Sequence, residues 1–363
     1  MSRILFLIVL VLAAANDPAQ AARSARPVLT QQSVNDAQWS GTASDRLDPV
    51  LLKAQVLLDR AGFSPGAIDA RDGENFAKAL RAFQQAYELE PTGKLGAATW
   101  DRLVHTSDEP VLRDYTTIAA DVAGPFAKTI PKDFTKMARL DRLAYRSPRQ
   151  LLAEKFHLSE ELLAALNKGK NLERAGTDIV VANVAPLEVP KPSRTEGRRA
   201  HAATTGAAGE PVKASRVVVN KSERSVRVLG SGGSLIAYYP ATIGSAEKPA
   251  PSGNFEVRSV SYDPTYRYDP HYQFKGQHAR EPVTVAPGPN NPVGLVWIAL
   301  SAKSYGIHGT PDPDKISKTA SHGCVRLTNW DAIALAQLVR KGTPVNFINE
   351  DTLHPSPQRT HGS

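Results

Sequence analysis

The sequence predicts an α+β multidomain protein. It has a small three-helix module near the N-terminus, a small α/β spacer module, and a C-terminal β-sandwich or barrel-like domain closed by one helix. A length of 363 residues is long for one domain and suggests two or three. Apolar residues recur at helical spacing through residues 50–103, whereas short β-branched runs between turn residues begin near residue 216. Apolar residues make up 41% of the chain and charged ones 22%, which argues against wholesale disorder.

The first 21 residues have the pattern of a cleaved secretory signal peptide. Ser2 and Arg3 form a short basic start, and an uninterrupted apolar run of twelve residues follows at 4–15. That run is shorter than the about 20 residues that a membrane-spanning helix needs. Ala19 and Ala21 supply the small residues of a signal-peptidase site. We therefore expect an exported protein of the periplasm or cell wall, with no integral membrane span after cleavage. An uncleaved anchor or a buried helix is the alternative.

The charge of the chain suggests a class of partner. There are 44 Lys and Arg against 36 Asp and Glu, which gives a net charge of +8. A basic exported protein is suited to an acidic partner, namely anionic lipid, nucleic acid or an anionic cell wall. The sequence contains no zinc-finger spacing and no aromatic RNA-binding motif, so nucleic acid is not expected as a partner.

Residues 22–47 are small and polar and predict a flexible N-terminus, and a three-helix module is predicted over 48–104. The helices are indicated by apolar residues at helical spacing. The module resembles the peptidoglycan-binding domain 1 family, which implies that it binds glycan or stem peptide as a whole. The resemblance rests on turn glycines, a Phe-Gln pair and apolar positions: Ile68, Asp69, Gly73, Ala79, Leu80, Phe83, Gln84, Leu89, Thr92, Gly93, Leu95, Thr99, Trp100 and Leu103.

A second small unit is predicted over 140–183. Two helices are expected on either side of Leu158, with Ser159 as the N-cap of the second, and a strand is expected at 179–181. From Leu162 onward this segment resembles the second half of a lysin motif, without a recognisable opening strand. A plain helical spacer is the alternative. Residues 184–214 are rich in Pro, Ala, Gly and basic residues without an apolar period, which predicts a linker.

The β-rich domain is predicted over 215–349, followed by a loose tail at 350–363. Short β-branched runs between turn residues predict its strands. The stretch 263–292 is rich in Tyr and Pro and predicts a long loop with little secondary structure, of a length that is usually functional or disordered. The closing helix is expected to have Asn329 as its N-cap and Asp331 in its first turn.

Cys324 is the only cysteine of the chain, so no intramolecular disulfide can form. An unpaired thiol in an exported protein is either buried and inert, paired between chains, or reactive. Two histidines, His308 and His322, and the cation Arg326 accompany Cys324 in the sequence. An imidazole can take the proton of a thiol, and positive charge lowers a thiol pKa. These residue types therefore favour a cysteine nucleophile.

Glycines beside these residues indicate where an oxyanion would lie. Gly309 and Gly323 let the backbone approach a substrate closely, and their amides, with that of Cys324, are donors for the oxyanion of an acyl transfer. This part of the chain resembles the signature of the L,D-transpeptidases, also called the YkuD family. The resemblance extends over about 215–349. Its motif is Ile307-His308-Gly309-Thr310, eleven residues, then Ser321-His322-Gly323-Cys324-Val325-Arg326-Leu327, with Asn329 and Asp331 following.

The resemblance implies an enzyme that acts on peptidoglycan tetrapeptide stems. Such an enzyme cleaves the bond between the third residue and the terminal D-Ala, and then passes the acyl group to an amine. The resemblance implies that Cys324 is the nucleophile and forms a thioester. It also implies that His308 is the general base, oriented by a backbone carbonyl near Gly309.

The resemblance implies further roles for the other motif residues. His322 is the second candidate base, or it shapes the oxyanion and substrate pocket. Ser321 and Gly323 complete the motif, and Arg326 either holds the motif loop or meets a substrate carboxylate. A zinc site formed by Cys324 and the two motif histidines is an alternative, but carboxylate ligands and the usual helical spacing are missing. We predict no metal and no cofactor.

The acceptor of the acyl group is left open by the sequence. A second stem would give a 3→3 crosslink, a lipoprotein lysine would attach a lipoprotein, and water would make the enzyme an L,D-carboxypeptidase. The alternatives are a peptidoglycan-binding protein with a catalytically silent site and a cysteine hydrolase that cuts stem peptides. The expected partners are peptidoglycan stem peptides and glycan.

Overall fold

The computed structural model describes residues 29–42, 47–190, 213–245, 248–274, 276–319 and 323–349. The predicted signal peptide at 1–21, most of the linker at 184–214 and the tail at 350–363 lie outside the described residues. No helix in the described ranges is long and apolar enough to cross a membrane. The elements before residue 190 are α1 (Gln31–Asn35), α2 (Pro49–Arg60), α3 (Glu74–Ala86), α4 (Ala97–Val104), β1 (Leu112–Thr116), α5 (Ala119–Val122), α6 (Phe134–Met137), α7 (Pro148–Lys155), α8 (Glu160–Leu166) and β2 (Asp178–Ala182).

The segment predicted as a flexible N-terminus contains an ordered helix, α1, which corrects that prediction for residues 31–35. Thr30 caps α1, because its Oγ1 accepts a hydrogen bond from the Ser33 amide at 3.0 Å. Val34 is fully buried. The Asn35 carboxamide donates to the Leu112 carbonyl at 3.1 Å and accepts from the Leu112 amide at 2.8 Å. Helix α1 is therefore stabilised by contacts with residues far away in the sequence. Its own residues are mostly polar and do not predict a helix.

The N-terminal module, residues 48–104, has the three helices that the sequence predicts. Asp48 caps α2, since its carboxylate accepts a hydrogen bond from the Val50 amide at 2.7 Å. Pro49 occupies the first helical position, where its missing N–H costs nothing. Gly62 follows α2 with φ of +85°, a conformation that favours glycine. The apolar faces of α2, α3 and α4 meet in one core.

The middle module, residues 112–182, contains α5 to α8 and the antiparallel pair β1–β2. Ser159 caps α8 as predicted, because its Oγ accepts a hydrogen bond from the Leu162 amide at 3.1 Å. Strand β1 was missing from the sequence prediction, since it is short and has little apolar alternation. Ile68 of the N-terminal module exchanges backbone hydrogen bonds with the middle module, to His157 at 2.8 Å and from Ser159 at 2.9 Å. The two modules share one apolar core.

The C-terminal domain, residues 213–349, is built on a nine-stranded sheet of order β5-β4-β3-β13-β7-β10-β11-β12-β6. The two edge strands, β5 and β6, are joined through Ala241 alone, so the sheet curls back on itself and becomes barrel-like. This confirms the predicted fold class. The elements are β3 (Arg216–Asn220), β4 (Ser225–Leu229), β5 (Leu235–Pro240), β6 (Thr242–Ile243), β7 (Gly253–Tyr262), β8 (Tyr266–Tyr268), β9 (Val283–Val285), β10 (Val296–Leu300), β11 (Gly306–His308), β12 (Val325–Arg326), α9 (Asn329–Leu338) and β13 (Pro344–Ile348).

The long stretch 263–292 contains the antiparallel hairpin β8–β9, which corrects the expectation of little secondary structure. Phe134 of the middle module packs against this hairpin, with ring centroids 5.4 Å from Tyr266 and 4.8 Å from Tyr268. The Phe134 amide also donates to Gln277 Oε1 at 2.7 Å. Because an isolated two-stranded hairpin is marginally stable in water, the middle module supplies the apolar support that this hairpin needs.

Helix α9 closes the C-terminal domain, but its N-cap is Thr328 and not Asn329. Thr328 Oγ1 accepts a hydrogen bond from the Asp331 amide at 3.1 Å. Asn329 is instead the first helical residue, and its side chain is fully buried against the middle module. The N-terminal module also contacts α9, since Ser64 Oγ donates to Asp331 Oδ2 at 3.0 Å.

Candidate active site

Two short parallel strands bring the predicted site residues together. Strand β11 ends at His308, and β12 begins directly after Cys324, with His308 opposite Arg326 in the pairing. Ile307 and Val325 are also opposite each other, and both are fully buried. Since successive side chains of a strand alternate between faces, Cys324, His308 and Arg326 lie on the face opposite to this core.

His308 is held in one orientation and one tautomer. Its Nδ1 lies 2.7 Å from the Gly309 carbonyl oxygen. A carbonyl can only accept, so Nδ1 carries the proton and Nε2 is the acceptor. The Trp297 ring stacks on the imidazole with centroids 5.4 Å apart and planes 20° apart. Burial, and then the charge of Arg326, lower the pKa of His308 to about 3, so the imidazole is neutral at physiological pH.

Cys324 carries a half-buried thiol whose surroundings favour the protonated form. Its Sγ lies 3.9 Å from the Ser304 carbonyl oxygen. Burial raises the pKa of Cys324, while a hydrogen bond from the Gly306 backbone and the charge of Arg326 act in the opposite direction. The resting site therefore holds a neutral thiol beside a neutral imidazole, and not a thiolate–imidazolium pair.

Both motif glycines occupy positions that a side chain could not fill. Gly323 has φ of +109°, and a Cβ there would lie 3.0 Å from the Tyr305 ring. A Cβ on Gly309 would lie 2.2 Å from Asn329 Oδ1. The space beside Gly309 is filled by the Asn329 side chain, so a glycine is needed there for that close packing. The Gly309 amide donates to the Val296 carbonyl oxygen at 3.2 Å, so the prediction that it is an oxyanion donor is wrong. The same role for the amides of Gly323 and Cys324 stays a prediction.

Arg326 and Tyr266 of the β8–β9 hairpin lie close enough to Cys324 to interact with it electrostatically. Burial lowers the pKa of Arg326, and the neighbouring Cys324, Tyr266 and Asp312 act against that shift. Burial and the nearby Cys324 raise the pKa of Tyr266, so its phenol stays protonated. Tyr266 was not singled out from the sequence, where only the Tyr-rich composition of the stretch could have indicated it.

Ser321 and His322, the two remaining predicted site residues, lie outside the described residues. The second candidate base and the zinc alternative both depend on His322, so both stay predictions. Among the residues that the structure describes, no group of three or more His, Cys, Asp or Glu side chains could hold a metal ion.

The raised pKa of Cys324 predicts how fast the thiol reacts with iodoacetamide as a function of pH. We expect the alkylation rate to keep rising beyond about pH 8.5, the pKa of an ordinary cysteine. The same chain in denaturant is the control, and its rate should level off at the lower, ordinary pKa. A folded-state rate that levels off near pH 7 would mean that a thiolate–imidazolium pair exists, and would contradict the neutral resting site.

Family models match two parts of this chain. The model for the L,D-transpeptidase catalytic domain, YkuD, matches residues 214–347, which include β11, β12 and α9. The model described as "Putative peptidoglycan binding domain" matches residues 49–103, the three-helix bundle. The lysin-motif resemblance of residues 140–183 stays a prediction.

Named relatives place the chain in a family. It is 30% identical to "Putative L,D-transpeptidase YqjB" of Bacillus subtilis over 140 residues, which are 37% of this chain and 71% of that protein. It is 31% identical to "Putative L,D-transpeptidase YkuD" of Bacillus licheniformis over 132 residues, which are 36% of this chain and 64% of that protein. The chain therefore belongs to the L,D-transpeptidase family.

The likeness to these proteins is confined to part of each chain. This chain spans 64%, 36% and 44% of the length of three curated relatives that it matches. A crystal structure of L,D-transpeptidase 3 from Mycobacterium tuberculosis, with a faropenem-derived adduct, is 19% identical over 37% of this chain and 59% of that one. Its TM-score of 0.30 is too low to add to the assignment.

Proposed function

We propose that this chain is an exported L,D-transpeptidase that acts on peptidoglycan tetrapeptide stems through a thioester on Cys324. The observation that carries the proposal is the state of His308. Its Nδ1–H is committed to the Gly309 carbonyl at 2.7 Å, which leaves the unprotonated Nε2 available to accept a proton. Membership in the family supports the reaction, and the matched peptidoglycan-binding domain supports the substrate.

In the first half-reaction, Cys324 Sγ attacks the carbonyl carbon of the third stem residue while the thiol proton moves to Nε2 of His308. The new C–S bond leaves negative charge on the carbonyl oxygen, which the backbone amides of Gly323 and Cys324 stabilise. The C–N bond to the terminal D-Ala then breaks, and His308 returns its proton to the leaving amine. The products are a thioester on Cys324 and free D-Ala.

In the second half-reaction, an acceptor amine attacks the thioester and gives its proton to Nε2 of His308. A C–N bond forms, the C–S bond breaks, and the leaving sulfur takes that proton to restore the thiol. A second stem gives a 3→3 crosslink, a lipoprotein lysine gives an attached lipoprotein, and water gives carboxypeptidase activity. The three acceptors differ only in this step.

A neutral resting thiol protects an enzyme that works outside the cytoplasm from unwanted reactions. Oxidants and electrophiles react with thiolates, and a protonated thiol is largely protected from them. Burial raises the pKa of Cys324 and lowers that of His308, so charge separation is postponed until a substrate carbonyl accepts the attack. The site is then reactive toward a bound stem and less reactive toward solutes than a thiolate would be.

The N-terminal half supports a location at the cell wall. The apolar run at 4–15 and the small residues at 19 and 21 favour export to the periplasm or wall. The domain matched at 49–103 favours retention of the enzyme on peptidoglycan. The net positive charge of +8 of the whole chain suits the anionic wall polymers.

Intact-protein mass spectrometry tests the proposal directly. The mature chain is incubated with a disaccharide tetrapeptide, with and without a second stem as acceptor. We expect an acyl adduct on Cys324, release of D-Ala, and a crosslinked product only when the acceptor is present. D-Ala release with hydrolysed stem alone would make the chain a carboxypeptidase. Absence of both adduct and D-Ala would indicate a peptidoglycan-binding protein with a silent site.

A further inference from the structure

Glu154 is a buried carboxyl at the contact between the middle module and the C-terminal domain. It lies on α7 and is only 2% exposed. Oε1 accepts a hydrogen bond from Gln150 Nε2 at 3.1 Å, and Oε2 accepts one from Asn329 Nδ2 at 2.8 Å. Burial raises the pKa of Glu154, whereas the two amide donors on its two oxygens favour the ionised carboxylate. Burying a carboxyl group this fully costs folding free energy, and Glu154 has no part in the two half-reactions proposed above.

Asn329 transmits the position of Glu154 to the loop that follows β11. With Nδ2 bound to Glu154, its Oδ1 faces the other way and accepts a hydrogen bond from the Leu295 amide at 3.1 Å. The same Oδ1 packs directly on Gly309 and Gly294, since a Cβ on these residues would lie 2.2 and 2.1 Å from it. The Asn329 carboxamide is therefore clamped between the carboxyl of another module and the backbone at Gly309.

Gly309 is the residue whose carbonyl fixes the proton on Nδ1 of His308. We propose that Glu154 is a positioning residue for His308, acting through Asn329 and the backbone at Gly309. The middle module is then part of the catalytic apparatus and not only a spacer. The inference rests on the proposed function for the identity of the reaction, but not for the contacts that carry it.

Glu154→Gln changes one acceptor into a donor at almost constant volume. The new NH2 group must face either Asn329 Nδ2 or Gln150 Nε2, which are both donors. Gln150 is not free to rotate its carboxamide, because its Oε1 accepts hydrogen bonds from the Arg146 amide at 2.8 Å and from Asn290 Nδ2 at 3.1 Å. The variant therefore loses one of the two bonds. Where the NH2 faces Asn329, the bond to Asn329 is lost; where it faces Gln150, the side chain at position 154 loses its second anchor and holds Asn329 less firmly.

We expect Glu154→Gln to lower kcat for D-Ala release by about 10-fold or more, with KM for the stem within about twofold. Misplacement of a catalytic group by about 1 Å can cost ~100-fold. The substrate does not touch Glu154, so binding should be spared. A role in folding alone would lower the melting temperature without this split between kcat and KM.

The matched control is Ser64→Ala. It removes the 3.0 Å hydrogen bond between another module and Asp331, two residues along α9 from Asn329, without touching Gly309. We expect it to lower thermal stability while leaving kcat within about twofold of the unsubstituted chain. Equal losses of kcat in Ser64→Ala and Glu154→Gln would mean that module docking in general supports activity, and would overturn the specific role of Glu154.

A second substitution that restores the lost hydrogen bond tests whether Glu154 acts by positioning His308 or only by stabilising the fold. In the double variant Glu154→Gln with Asn329→Asp, the Gln amide donates to the new carboxylate and the Gln carbonyl still accepts from Gln150. Both hydrogen bonds are restored, and the negative charge moves from position 154 to position 329. The double variant loses the 3.3 Å hydrogen bond that Asn329 donates to the Pro289 carbonyl. We expect the double variant to recover at least about threefold in kcat over Glu154→Gln. If kcat does not recover, the proposed positioning of His308 by Glu154 through Asn329 is wrong.

A readout without a peptidoglycan substrate keeps this inference separate from the proposed function. In the neutral resting site, alkylation of Cys324 by iodoacetamide at pH 8 requires the thiol to lose its proton as the sulfur attacks, so the rate depends on how well Nε2 of His308 is placed to take that proton. We expect the rate to fall in Glu154→Gln and to be unchanged in Ser64→Ala. If the unsubstituted chain releases no D-Ala, the proposed function fails, yet the alkylation rates still test the positioning of His308 by Glu154. Equal alkylation rates in all variants would overturn it. If Glu154→Gln does not fold, Asn329→Asp alone gives the same test, because it places two acceptors face to face.

Discussion

Replacing Cys324 by alanine is expected to abolish release of D-Ala from tetrapeptide stems, with a fall in kcat/KM of about 10⁴-fold or more. The chain contains no second cysteine that could replace the nucleophile. Without the thiol no thioester can form, and a stem bound beside His308 has only water to react with. Liquid chromatography of released D-Ala, with the intact mass of the protein as a second readout, measures the loss.

Binding to isolated sacculi is the control for this variant. The peptidoglycan-binding domain at 49–103 is separate from Cys324, so Cys324→Ala should sediment with sacculi as the unsubstituted chain does. Cys324→Ser, with a hydroxyl in place of the thiol, is the more conservative partner variant. Loss of sacculus binding in Cys324→Ala would contradict the division between a binding module and a catalytic site, and retained D-Ala release would contradict the nucleophile.

Replacing His308 by glutamine is expected to lower kcat by about 10² to 10⁴-fold, the range for loss of a positioned general base. The substitution removes Nε2, the atom that the bond from Nδ1–H to the Gly309 carbonyl leaves free to take the thiol proton. The remaining activity should rise steadily with pH, because hydroxide then replaces the missing base. Steady-state release of D-Ala between pH 6 and 10 measures both effects.

His271→Gln is the matched control for His308→Gln. His271 lies near the tip of the β8–β9 hairpin with its side chain 92% exposed, and its contact is with Asp269 at 2.7 Å. We expect its kcat to stay within about twofold of the unsubstituted chain. If His308→Gln retained more than about a tenth of the activity and His322→Gln did not, the base would be the second motif histidine, and the assignment to His308 would be wrong.

The parts of the site that the sequence predicted are those encoded by local pattern. The thiol, the imidazole and the glycines of the motif carry their chemistry in the residue types themselves, so Cys324, His308 and Arg326 could be brought together before any coordinates. The bond from His308 to the Gly309 carbonyl was expected from the family resemblance and is present at 2.7 Å. The three helices of the N-terminal module followed from apolar residues at helical spacing.

The parts that the sequence did not predict depend on contacts between residues far apart in the chain. Asn329 looked like a helix cap because it precedes an apolar helix, but Thr328 takes that role and Asn329 bonds to Glu154, 175 positions earlier. The β8–β9 hairpin is too short to be recognised from three-residue strands. Its order comes from Phe134, which is supplied by another module. No local rule links such pairs.

The support of the β8–β9 hairpin has a consequence for how this enzyme could have been assembled from portable domains. The catalytic family domain begins near residue 214, yet the apolar surface under its hairpin is covered by Phe134 and its neighbours from upstream. Gly288 packs against the Leu143 backbone so closely that a Cβ would lie 2.4 Å from the Leu143 carbonyl oxygen. A copy of the domain moved into another gene without these residues would leave aromatic rings in water. Upstream and downstream segments must therefore be inherited together, and residues on both sides of the contact should change in step.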